Sequence, residues 1–199
     1  MKTLAALVLC LSLAACSGLV SKAAPERRFF LVQADHPART AGAAPEAVLK
    51  IKDFRVSPGF EDRPLVYRTG DSTWVSDFYN AFFVDPSAML AGQTRQWLAE
   101  TGLYGRVTDL ASRLPATRYL EGSLTTLHGD FRDPAAPRAV MELQFLLLSG
   151  EAAPRPLLLK TYRREIPLPN RAPEALTKGY DAALTEILHA LTADLAAVP

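Results

Sequence analysis

The sequence predicts an α+β fold: a single domain with a mostly antiparallel sheet and two amphipathic helices packed on one of its faces. Three observations carry this. Runs of β-forming residues recur along the chain, separated by Pro, Gly and Asp; one internal segment carries helix punctuation at both ends; and the C-terminal segment repeats Leu at helical spacing.

Taken in order, "RFFLVQA" (28–34) is rich in β-formers and reads as the first strand. The Pro, Gly and Ala of residues 35–47 read as a loop, and "VLKIKDFRV" (48–56) as the second strand. "SPGFEDR" turns the chain into a hairpin over "PLVYRTGDSTWVSDFY", with Gly70-Asp71 at its tip. The first helix is bounded by Asp85 as N-cap, Pro86 at the first helical position and Gly102 as a left-handed terminator. Met89, Leu90, Trp97 and Leu98 share its apolar face.

"LYGRV" returns to the sheet. "RYLEGSLTTLHGDF" places Leu120, Gly122, Leu124 and Thr126 on one face, and "RAVMELQFLLL" places Ala139, Met141, Leu143, Phe145 and Leu147 on one face. Between them "GDFRDPAAP" is long enough for a protruding loop, and "PLLLKTYRREI" (156–166) is the last strand. From Pro173 to Val198, Leu176, Tyr180, Leu184, Ile187, Leu188, Leu191 and Leu195 form one helical stripe, weakened by roughly 1 kcal/mol at Gly179 relative to Ala.

The N-terminal residues have a different character. Lys2 precedes an apolar run of about 12 residues, signal-peptide length rather than a membrane span. Leu13-Ala14-Ala15-Cys16 closes it and resembles the bacterial lipobox, whose cysteine takes a diacylglycerol thioether and becomes the N-terminus after cleavage. The alternative is an ordinary secretory signal cut near Ala14 or Ala15. The lipobox reading gives a leader over 1–15, a lipidated N-terminus and linker over 16–27, and one domain over 28–199. Cys16 is then the lipid anchor, S-diacylglyceryl and N-palmitoyl. Cys10 departs with the leader, so no thiol is left for a disulfide or a Cys-containing metal site. Ser17, where an Asp resembles an inner-membrane retention signal, directs the expectation to the periplasmic face of the outer membrane.

Charge excludes one class of partner. Removing Lys2 with the leader leaves basic and acidic residues in balance, which provides no electrostatic footprint for nucleic acid. Catalytic patterns are missing too. His36, His128 and His189 are scattered without metal-ligand spacing, so they read as loop, strand end and helix surface, and no cofactor is expected. "GDSTW" falls in a hairpin turn rather than on a nucleophile elbow. Asp130 and Asp133 read as a solvated turn rather than a cation site. The protein is not expected to be an enzyme.

Aromatics interleaved with charge stand out instead, in "FEDRPLVYR" (60–68) and "TWVSDFYNAFF" (73–83). Most of these aromatics are expected in the core. Arg63, Tyr67, Arg68 and Phe131 are the candidate partner-binding residues, because Arg and aromatic side chains dominate interface hot spots and these lie outside the strongly alternating strands. Docking is therefore expected on the sheet side bearing "EDRPLVYR" and the "HGDFRD" loop.

The lipobox, "EDRPLVYR", "FFVDPSAML…TRQWLAETGLY" (82–104), "YLEGSLTTLHGDFRD" with "AVMELQFLLL", and the closing helix together resemble the ABC-type transport auxiliary lipoprotein family, the PqiC-like lipoproteins. The resemblance covers nearly the whole chain after the leader, and its specificity lies in the series rather than in any one piece. It implies an outer-membrane docking component of an Mce-type lipid transport system. The implied partners are an MlaD-like periplasmic substrate-binding protein with its permease and ATPase, and the outer-membrane bilayer through Cys16; a homo-oligomer stays open. Phe60-Glu61-Asp62-Arg63-Pro64 departs from the Leu-Asp-Arg-Pro of some members, and the long Gly-Asp-Phe-Arg-Asp hairpin is a second departure. The family supplies no catalytic residues. The alternative function is an envelope-assembly lipoprotein that never meets transported lipid.

Overall fold

The computed structural model describes residues 26–37 and 44–198, so the expected leader, Cys16 and most of the linker lie outside the described residues. The elements in chain order are β1 (Arg28–Phe30), β2 (Ala44–Ile51), β3 (Arg55–Val56), β4 (Pro64–Arg68), β5 (Trp74–Phe82), α1 (Pro86–Thr101), β6 (Tyr104–Asp109), β7 (Arg118–Asp130), β8 (Arg138–Ser149), β9 (Pro156–Pro167) and α2 (Pro173–Ala196). The fold is α+β.

β7 is the spine of the sheet. Along one edge it pairs with β8 over its full length, and β8 pairs in turn with β9, both antiparallel. Along the other edge it takes β2, β3 and β4 one after another, all parallel. β6 extends the sheet beyond β2, while β5 and then β1 extend it beyond β4. The long antiparallel ladders agree with the sequence reading, but five of the strand pairings are parallel and the sheet is mixed. Alternation of side chains tells which face a residue takes and says nothing of strand direction. Direction is legible only where a short turn joins two strands, and the parallel neighbours here are joined through other elements.

Both helices cover one face of this sheet. Leu120, Leu124, Met141, Leu143, Phe145 and Leu147 from β7 and β8 meet Met89, Leu90, Trp97 and Leu98 of α1 and the stripe of α2 in one core. The helices also touch each other: Trp97 Nε1 donates to Thr192 Oγ1 at 3.0 Å, and the His189 ring stands edge-on to the indole. Gly102 ends α1 at φ 70°, the left-handed conformation a helix terminator needs. Gly179 answers a different requirement. A Cβ there would lie 2.6 Å from Ala139 Cβ and 2.6 Å from Leu168 Cδ2, so the glycine lets α2 settle against β8.

Three local expectations are corrected. β2 begins at Ala44, inside the expected loop, and the expected strand over 48–56 is broken at Lys52–Phe54, where the buried Phe54 turns into the core. In β7 the pairing steps from Leu124↔Leu143 to Thr126↔Glu142, so Thr125 is an extra, bulged residue. The phase flips there, and Leu127 rather than Thr126 faces the core. Asp85 occupies the N-cap position, but its side chain makes no capping hydrogen bond; only its carbonyl accepts from Met89 N–H.

Candidate functional site

The most unusual surface lies at the β1–β5 edge. On β5, Ser76 faces Val66 while Ala81 faces Pro64, so β5 uses five residues where β4 uses two. The surplus forms a bulge over residues 77–80. Asp77 holds it. Its Oδ1 accepts from the backbone N–H of Tyr79 at 2.8 Å and of Asn80 at 2.9 Å, and its Oδ2 accepts from Tyr67 Oη at 2.6 Å and Asn80 Nδ2 at 2.8 Å. Burial pushes the Asp77 carboxyl up, but these hydrogen bonds outweigh it and leave its pKa below the usual carboxylate value. Burial, then the bond to Asp77, pushes the Tyr67 phenol well above its ordinary value.

The bulge presents Phe78, 78% exposed, and Tyr79 to solvent, their rings edge-to-face at 5.1 Å. Beside it, β1 lies parallel to residues 80–82 of β5. Phe29 and Phe83 are both exposed and meet edge-to-face at 6.0 Å, and Leu31 and Val84 continue the apolar surface. Leu31 and Val84 also line, with Ala88 and Gly92 of α1, a groove of about 350 Å³.

Arginines frame this edge. Arg28 donates from Nε to Asn80 Oδ1 at 3.0 Å and forms an ion pair with Glu174 of α2. The guanidinium groups of Arg27 and Arg63 lie 5.6 and 5.4 Å from the centre of the Phe29 ring.

Of the four residues singled out from the sequence, the structure gives each an internal task. Phe131 is corrected outright: at 7% exposure it is a core residue, stacked on Tyr67 at 5.1 Å. The loop of residues 131–137 folds its aromatic back under β4 because a phenyl ring gains more from burial than from solvent. Tyr67 is half-buried, and its hydroxyl is engaged by Asp77. Arg63 Nε donates to Phe82 O at 3.0 Å, tying β4 to the end of β5. Arg68 donates to the Asp71 carbonyl at 2.7 Å and lies over the Trp74 ring, bracing the hairpin turn.

The exposed Phe29, Phe78 and Phe83 were not among those candidates. A signal for one of them was present in "TWVSDFYNAFF". Phe82-Phe83 is an adjacent pair, and adjacent residues of a strand point to opposite faces. With helices on one face only, one member of such a pair has no core to enter.

A second surface is the sheet face opposite the helices. There Arg55, Glu121, Ser123, Gln144, Leu146 and Leu159 line a shallow depression of about 90 Å³, with Leu159 63% exposed. Arg163 pairs with Glu142 and Glu165 farther along the same face.

The residues with catalytic potential are spread apart. His36 pairs with Glu100 at the surface, and His128 is buried between Phe60 and Trp74. Ser72 sits in the hairpin turn closed by Thr69 N–H to Thr73 O. Asp130 is paired with Arg132, which lowers its pKa to about 2. Among the described residues no cluster of His, Cys, Asp and Glu is placed to hold a metal ion, and no helix is long and apolar enough to cross a membrane.

No protein-family model matches the sequence, and no curated protein does. Solved structures do match in fold. A DUF330 protein from Xanthomonas campestris superposes with a TM-score of 0.73 at 14% identity, over 83% of this chain and 92% of its own. An uncharacterized protein gives 0.67 at 13% identity, over 85% and 99%. A hypothetical protein from Chlamydia trachomatis gives 0.54 at 9% identity, over 77% and 97%. At these identities the likeness is one of fold.

Proposed function

We propose that this protein is an outer-membrane lipoprotein, anchored through Cys16, that docks onto an Mce-type lipid transport system as its auxiliary component. The observation that carries the docking role is the open sheet face. A sheet covered on one side only presents β7, β8 and β9 as a rigid platform, with Leu146 and Leu159 set among Arg55, Glu121 and Gln144. An apolar centre within a polar, charged rim is the make-up of a protein-binding surface. The series of segments that resembles the auxiliary lipoproteins supplies the kind of partner, a periplasmic Mce protein with its permease and ATPase.

The test is capture from solubilised envelope with the full chain as bait. Recovery of an Mce protein, lost on Leu159→Glu and kept on the helix-surface change Glu186→Ala, is the expected result. Normal recovery with Leu159→Glu and loss with Glu186→Ala would move docking to the helices. Failure to recover any Mce protein with the folded bait would remove the transport reading.

A further inference from the structure

We propose that the β1–β5 edge, led by Phe78 on its bulge and flanked by Phe29, Leu31, Phe83 and Val84, rests on the bilayer to which the chain is tethered. This inference uses the Cys16 anchor of the preceding reading and adds a second, protein-borne contact with lipid.

Position is the first argument. The chain enters the sheet at Arg28, the first residue of β1, and β1 is the outermost strand at that side of the sheet. Cys16 lies twelve residues upstream, a span of at most about 40 Å when fully extended. The edge with exposed aromatics is therefore the edge to which the tether leads.

Chemistry is the second. Exposed Phe and Tyr beside Arg are the types that settle at a membrane interface, the rings toward the acyl boundary and the guanidinium groups at the headgroups. Phe29 with Arg27 and Arg63 around its ring already shows this pairing.

Shape is the third. A second copy adding a strand needs a long, straight edge with free N–H and C=O groups, whereas β1, the outermost strand, is three residues long and the stretch of β5 beyond it is bulged. Here the bulge turns the backbone N–H groups of Tyr79 and Asn80 inward to Asp77. What remains outward is a convex pair of rings, which a fluid surface accommodates without a complementary pocket. The acyl chains at Cys16 suffice to hold the chain at the bilayer, so this edge sets its orientation there rather than its retention.

The experiment uses the full chain purified from envelope and reconstituted in vesicles of phosphatidylethanolamine with a minor share of phosphatidylglycerol, carrying brominated acyl chains. Phe78→Trp places a reporter on the bulge, and Leu159→Trp places one on the open sheet face; both positions are exposed, so neither change disturbs the core. Mass spectrometry of the same preparation reads the acylation of Cys16 separately. Bromolipid quenching of the Phe78→Trp emission at least roughly twofold stronger than that of Leu159→Trp is expected, as for an interfacial aromatic. Equal or weaker quenching overturns the proposal, and concentration-dependent shielding of the Phe78→Trp reporter from aqueous quencher would then assign the edge to a second copy. Acylation without preferential quenching leaves the anchor reading standing and removes this one. Preferential quenching without acylation does the reverse.

Discussion

Tyr67 donates its phenolic hydroxyl to Asp77 Oδ2 at 2.6 Å, joining β4 to the bulge of β5. The pair converts what would be a floppy surplus of residues into a fixed platform. Tyr67 is itself backed by Phe131, stacked beneath it, so the exposed rings of Phe78 and Tyr79 are tied through one carboxylate to the core.

Removing that tie should loosen the bulge without unfolding the domain. Tyr67→Phe deletes one hydrogen bond to a charged acceptor and should cost about 1.5–3 kcal/mol. Asp77→Ala deletes four and should cost more, with faster amide hydrogen exchange at Tyr79 and Asn80. Unchanged exchange at those two amides in Asp77→Ala would show that the backbone holds the bulge alone.

Phe131 should behave as core and not as contact surface. Phe131→Ala leaves a cavity beside Tyr67 and should cost about 3–5 kcal/mol in denaturant unfolding. A variant of unchanged stability would return Phe131 to the surface.

At Gly179 two principles oppose each other. Propensity alone makes Gly→Ala in a helix favourable by about 1 kcal/mol. Overpacking against Ala139 and Leu168 costs about 1–3 kcal/mol, so Gly179→Ala should lower stability on balance. Adding Ala139→Gly should restore part of the loss, which a double-mutant cycle would read.

Acid should destabilise the fold through His128. Burial between Phe60 and Trp74 lowers its pKa to about 4 from an ordinary value near 6.5. Between those values the unfolded chain binds a proton that the folded chain does not, so stability falls as pH drops from about 6.5 to 4. The loss approaches about 3 kcal/mol. The hydrogen bond to Glu100 raises the pKa of exposed His36, whose contribution has the opposite sign, present below 6.5 and lost as pH rises through its folded value. Melting temperatures of wild type and His128→Phe between pH 7 and 5 check this. The wild type should fall more steeply, and parallel curves would refute the assignment.

The sequence by itself determined the α+β class, both helices, the Gly102 stop, the β4–β5 hairpin and most of the strands that face the helices. Each of these is encoded locally, by a period of 3.6 or 2 or by a turn residue at a fixed offset. Tertiary structure alone decided the rest. Three of the five parallel pairings arise because β7 has one edge free for β2, β3 and β4, and no local pattern records which strand will fill it. The bulge at Thr125 reversed the face of Thr126, since one unpaired residue shifts a period of two by half. The same cause separates Phe131 from Phe78. Both are aromatics beside charged residues in the chain, and burial was settled by what lies across from each: Tyr67 over Phe131, and open solvent over Phe78, which Asp77 pushes outward by drawing the neighbouring amides in.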